Sequence, residues 1–121
     1  MNASERLPLL LREMRQAAGE ARQMLGDRSF EEFERDLVLQ RAIDMTLLIV
    51  AEAASQVTVK APEFVAEHPD IPWTAMRGMR NRMAHGYLSV NLRVVYEAAL
   101  VEAPALAATL DGILNRYAQG E

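Results

Sequence analysis

The chain has no cysteine, so disulfides and thiolate metal sites are both excluded, and a reducing compartment suits it. No stretch is long and apolar enough to cross a bilayer. The best candidate, AIDMTLLIVAEAA (42–54), is short and interrupted by Asp44 and Glu52. The N-terminus, MNASERLPLLLREMRQ, carries charge on both sides of its apolar stretch and has no small-residue cleavage site, which argues against a signal peptide. A soluble cytoplasmic protein is the expectation. No segment alternates with period two, and there are no internal repeats or low-complexity tracts. No HExxH pattern, glycine-rich phosphate loop, Ser-His-Asp order or cluster of metal ligands is present, so neither a metal nor another cofactor is expected.

Acidic residues are also absent where the basic ones gather. The net charge is −4, which argues against a general nucleic-acid-binding surface. Between Ile71 and Tyr96, however, there is no Asp or Glu, while Arg77, Arg80, Arg82 and Arg93 are all present. The rest of the chain holds 9 basic and 17 acidic residues, a net of −8. A positive island on an acidic body suits a confined phosphate site, although arginines near a helix C-terminus also complement its dipole.

What remains reads as helices throughout, in one domain spanning all 121 residues. Leu7, Leu10, Leu11, Met14, Ala17, Ala18, Ala21 and Met24 recur at helical spacing over residues 5–25, and Gly26-Asp27 closes that helix. Ser29-Phe-Glu-Glu32 has the form of a capping box and opens a second helix expected to run to about Val57. That helix is apolar nearly all round from Met45 to Ala54 and should lie at the centre. Glu31, Glu32, Glu34 and Asp36 read as its solvated start. Ala61-Pro62 begins a short helical turn, and His68-Pro-Asp-Ile-Pro72 forms a connector in which His68 is an exposed loop residue. A third helix starts near Trp73 and stops around Gly86. Asn91 caps a fourth through Val101, and Pro104 opens a last one reaching about Arg116. The expected architecture is an all-α, antiparallel bundle of four to five helices.

Within the third helix, Trp73, Met76, Arg80, Met83 and Tyr87 follow offsets of 3 and 4, a seam that packs against another helix, here expected in a second copy. Arg80 takes an apolar position in that seam and needs an anion or a carboxylate. Asp44 and Glu52, in the most apolar helix, also need partners, either in salt bridges to Arg41 or Arg77 or in orienting Arg80 or the histidine. Arg77, Asn81 and His85 lie on a neighbouring stripe. Arg80 and His85 are about 140° apart on an ideal helix. They converge if the helix ends at His85 and Gly86 turns left-handed, or if two copies meet. A histidine can take the proton from a ribose 2′-hydroxyl or return one to a leaving oxygen. An arginine can clamp the phosphate, and an asparagine can orient the histidine or bond a phosphate oxygen. Such a set cleaves RNA without metal, because the 2′-hydroxyl is the nucleophile.

"HPDIPWTAMRGMRNRMAHGY" (68–87), following "AEAASQV" (51–57) and followed by "EAPAL" (102–106), resembles the HepT-like branch of the HEPN superfamily over about residues 30–115. The resemblance implies an α-helical homodimer whose two Arg-x4-His motifs form a metal-independent ribonuclease site at the interface. It implies a toxin neutralised, in a type VII-like toxin–antitoxin pair, by a minimal nucleotidyltransferase that adds AMP to a tyrosine. Arg80 and His85 would then be catalytic, Asn81 supporting, and Tyr87 the acceptor, its added nucleotide blocking the substrate's place. Arg77, from its position on the stripe, is read as a supporting phosphate contact. The chain departs from the common pattern at Ala51, where many relatives have glycine. The alternative is a non-catalytic, nucleotide-binding partner of the nucleotidyltransferase.

Overall fold

A computed structural model describes residues 3–86 and 90–120. Described residues are all helical or in short connections, and none is in a strand. Helix α1 (Ala3–Leu25) ends where Gly26 adopts a φ of 59°, a conformation open to glycine at little cost. Helix α2 (Phe30–Glu34) carries the expected capping box at Ser29 and Glu32. It does not continue to Val57. Asp36 accepts from the backbone N–H of Leu39 and starts a separate helix, α3 (Leu37–Lys60). The Gln40 side chain donates to the carbonyls of Phe33 and Glu34, satisfying the end of α2. Asp36, read as part of a solvated helix start, is therefore an N-cap.

Helix α4 (Pro62–Glu67) and the proline connector lead into α5 (Trp73–Ala84), which carries the motif. His68 is half-buried rather than a free loop residue. Its ring lies 4.3 Å from that of Phe64, and its carbonyl accepts from the Trp73 indole at 3.0 Å. Asn91 caps α6 (Leu92–Glu97) as expected. That helix does not stop before Pro104. It passes through a π-turn (Ala98–Glu102) into α7 (Ala103–Ala118). Proline cannot donate to the carbonyl four residues back, and its ring crowds that carbonyl. The wider turn, in which Ala103 donates to Ala98, lets the chain stay helical across Pro104.

Helix α3 is central, packing against α1 on one side and α5 on another, while α7 closes on α1. Helices α1 and α3 make the most extensive contact, and their buried residues include Ala17, Ala18 and Ala21 on α1 and Ala53 and Ala54 on α3. Leu11, Met14, Leu25 and Ile43 fill the space around them. Helix α3 is not buried all round, however. Val38, Met45, Ile49 and Val59 are exposed along one face.

Candidate active site

The seam of α5 packs within the chain. Trp73 and Met83 are buried, and Met76 and Met79 lie against the same core, facing α3. This contact sets Arg80 beside the central helix, half-exposed, where its Nε donates to Glu52 Oε1 at 2.6 Å. The carboxylate expected for Arg80 is thus Glu52, and of the partners considered for Glu52 it is the motif arginine that takes it. A partly exposed pair of this kind adds little stability, on the order of 0–1 kcal/mol. Its main effect is to fix the guanidinium's direction. Arg80 Nη1 also points to Asn81 Oδ1 at 3.5 Å, and Nη2 has no partner among the described residues. A cation held by one edge can receive a phosphate on the other.

Arg77, Asn81 and His85 are exposed along one stripe, as their spacing requires. His85 caps α5. Its backbone N–H turns back to the carbonyls of the last helical turn, and Gly86 follows with a φ of 140°. The left-handed turn expected at Gly86 is present. Among the described residues, however, no hydrogen bond joins the His85 ring to Arg80 or Asn81. One chain therefore presents the arginine and the histidine on adjoining surfaces without bringing them into contact. Tyr87 lies outside the described residues.

The profile of the family described as Ribonuclease HepT-like matches residues 14–113, which include Glu52 and the whole of α5. The chain belongs to the HepT-like ribonuclease family. It is similar to a protein of Caldanaerobacter subterraneus subsp. tengcongensis named as an RNase, with 38% identity over 73% of this chain and 76% of that one. It is similar also to a protein of Thermococcus cleftensis named as a ribonuclease HepT, with 34% identity over 64% of this chain and 67% of the relative. An RNase-named protein of Methanocaldococcus jannaschii is 29% identical over 74% of each chain. No solved structure matches the chain.

In this HepT-like chain the second α3 carboxylate behaves differently from Glu52. Asp44 is buried, reaches Arg41 only at 3.9 Å, and its Oδ1 has no hydrogen-bond partner among the described residues. Burial pushes its carboxyl above the usual carboxylate range, and Arg41 offsets this only in part. Among the described residues no cluster of three or more His, Asp or Glu side chains is placed to hold a metal. No described helix is long and apolar enough to cross a membrane. Reading the motif alone missed a cavity of about 410 Å³ beside α5, bounded by α3, the π-turn and α7. Ala51, the position that departs from the family pattern, is among its walls. The i, i+3, i+4 spacing of Ala75, Met76, Met79 and Arg82 marks that face in the sequence. The π-turn, which supplies Ala98 and Glu102 to the lining, was not legible there.

Proposed function

We propose that the chain is a metal-independent endoribonuclease acting through Arg80 and His85. The carrying observation is the Glu52–Arg80 pair at 2.6 Å, which holds a half-exposed guanidinium next to Asn81, on the surface adjoining the exposed His85. His85 takes the 2′-hydroxyl proton, and the freed oxygen attacks the adjacent phosphorus to close a 2′,3′-cyclic phosphate. The P–O5′ bond breaks as the histidinium returns a proton to the 5′-oxygen. Arg80 and Arg77 carry the charge of the five-coordinate phosphate, and Asn81 orients it. Two copies complete the site. Val38, Met45, Ile49 and Val59 share an exposed arc of α3 with Glu52, beside Arg80, and a second copy laid on that face brings the partner's histidine towards this arginine.

The test is complementation. Arg80→Ala and His85→Ala homodimers should each be inactive, and mixing them after subunit exchange should restore part of the RNA cleavage, since one mixed site keeps both groups. Failure of the mixture to cleave, or light scattering that shows a monomer at micromolar concentration, would exclude a shared site. RNA binding by the parent without any cleavage would instead favour the non-catalytic partner role.

On the family resemblance, a cognate nucleotidyltransferase antitoxin adds AMP to Tyr87, two residues after His85 in the sequence, and the added phosphate and purine compete with RNA for the motif. Intact-mass spectrometry with that enzyme and ATP should show the parent gaining AMP and losing activity. Tyr87→Phe should cleave RNA, take no AMP and escape neutralisation. Equal modification of both proteins would place the acceptor elsewhere.

A further inference from the structure

Arg82 belongs to the positive island, yet the site above makes no use of it. It stands at the rim of the 410 Å³ cavity, whose walls include Leu47, Val50, Met76, Met79 and Leu106. Glu102 of the π-turn stands on the rim as well. We propose that this cavity receives a nucleobase of single-stranded RNA, the one adjoining the phosphate at His85. The proposal rests on the ribonuclease reading for its substrate class.

The cavity's size falls in the usual range for small-molecule sites, roughly 300–1,000 Å³. Its walls are apolar, and two of them are methionines, whose flexible thioethers adapt to flat aromatic faces. The rim narrows the choice of ligand. No ion pair joins Arg82 and Glu102 among the described residues, so an anion would meet an unneutralised carboxylate and a cation an unneutralised guanidinium. A neutral ring with hydrogen-bond donors and acceptors on its edge satisfies both, and a nucleobase is such a ring. Arg82 is also held close to its own helix. Its guanidinium folds back over Gly78, with Nη1, Nη2 and Cζ at 3.4, 3.9 and 4.0 Å from where a Cβ would stand. Both Nη atoms lie nearer than Cζ, so the end of the guanidinium, not its face, meets the bare backbone, and the side chain is held along α5 at the cavity rim. Finally, Arg82 lies one turn before His85 on the same side of α5. A strand whose phosphate sits at His85 therefore passes the cavity mouth.

The test uses full-length protein carrying 13C-labelled methionine methyl groups. Nucleoside 5′-monophosphates, ribose 5-phosphate and inorganic phosphate are titrated separately to millimolar concentration. Nucleotides should shift the Met76 and Met79 methyl signals saturably, while Met24 and Met45 stay put. Ribose 5-phosphate and phosphate should leave Met76 and Met79 unmoved. Ala75→Phe places a ring at the mouth from an exposed position. It should weaken these shifts at least tenfold at an unchanged melting temperature, and Arg82→Gln should weaken them as well. Unmoved Met76 and Met79 signals with every nucleotide, or equal shifts with ribose 5-phosphate, would overturn the base pocket. The readout needs no cleavage, so the two proposals fail separately. Shifts without ribonuclease activity retain the pocket and remove the reaction, and cleavage without shifts does the reverse.

Discussion

Helix α3 makes two contacts of opposite character. Towards α1 it makes its most extensive contact, and both helices bury alanines, Ala53 and Ala54 on α3 and Ala17, Ala18 and Ala21 on α1. Towards α5 it presents Glu52 to Arg80, and Leu47 and Val50 to long methionines that leave a cavity open. Small residues leave nothing to rearrange and no polar group to satisfy. Long, flexible and charged ones leave space and unspent hydrogen-bonding capacity. Stability is concentrated in the first contact and chemistry in the second, so substitutions in the two should separate the two properties.

The largest separation is expected at the motif. Arg80→Ala and His85→Ala should each lower RNA cleavage by ~10²–10⁴-fold, the usual range for a lost general base or phosphate clamp. Both side chains are half-exposed or exposed, so circular-dichroism melts should shift by only a few degrees. A collapse of the fold in either variant would show that α5 is a structural element first.

The opposite behaviour is expected for Leu11→Ala. This side chain is fully buried, and its loss should cost ~2–5 kcal/mol, measured by urea unfolding. Cleavage per folded molecule should be unchanged at temperatures well below the midpoint. A loss of cleavage in fully folded Leu11→Ala would show that the two contacts are coupled.

Asp44 offers a smaller and pH-dependent effect. Its folded-state pKa is raised by burial above the unfolded value, so the native state binds this proton more tightly. Its ionisation therefore costs stability as the pH rises from the unfolded pKa through the folded one, and the cost is fully present above the latter. Asp44→Asn removes that cost. Its melting temperature should exceed the parent's at pH 7, and the difference should shrink as the pH falls towards 4, near the ordinary value of 3.8 for Asp. A gap independent of pH would mean that Asp44 ionises freely in the folded chain. The smallest change is expected at Gly19, within α1, where an added Cβ meets nothing within 4 Å. Gly19→Ala should stabilise by about 1 kcal/mol through helix propensity alone and leave cleavage untouched.

Much of this organisation was legible in the residues. The helical periods of α1 and α5, the caps at Ser29 and Asn91, and the left-handed Gly86 each depend on local chemistry that a sequence displays directly. The need of Arg80 for a carboxylate was legible too, and Glu52 was among the residues in want of a partner. Two elements depended on tertiary context. The break at Arg35 and Asp36 arises from the reach of Gln40 back to α2, which competes with a continuous helix. The π-turn resolves Pro104 without ending the helix, because Ala98, Ala99 and Ala103 are already committed to the core. The seam of α5 was correct as a packing surface, but its partner is α3 of the same chain.

The central claim is that Arg80 and His85 cleave RNA with no metal. It is tested most directly by incubating purified, unmodified protein with single-stranded RNA in excess EDTA, beside His85→Ala at the same concentration. The parent should cleave, leaving 2′,3′-cyclic phosphate ends, and His85→Ala should not cleave detectably. Cleavage by His85→Ala, or a parent protein that is inert in EDTA and active only after Mg²⁺ is restored, would contradict the account.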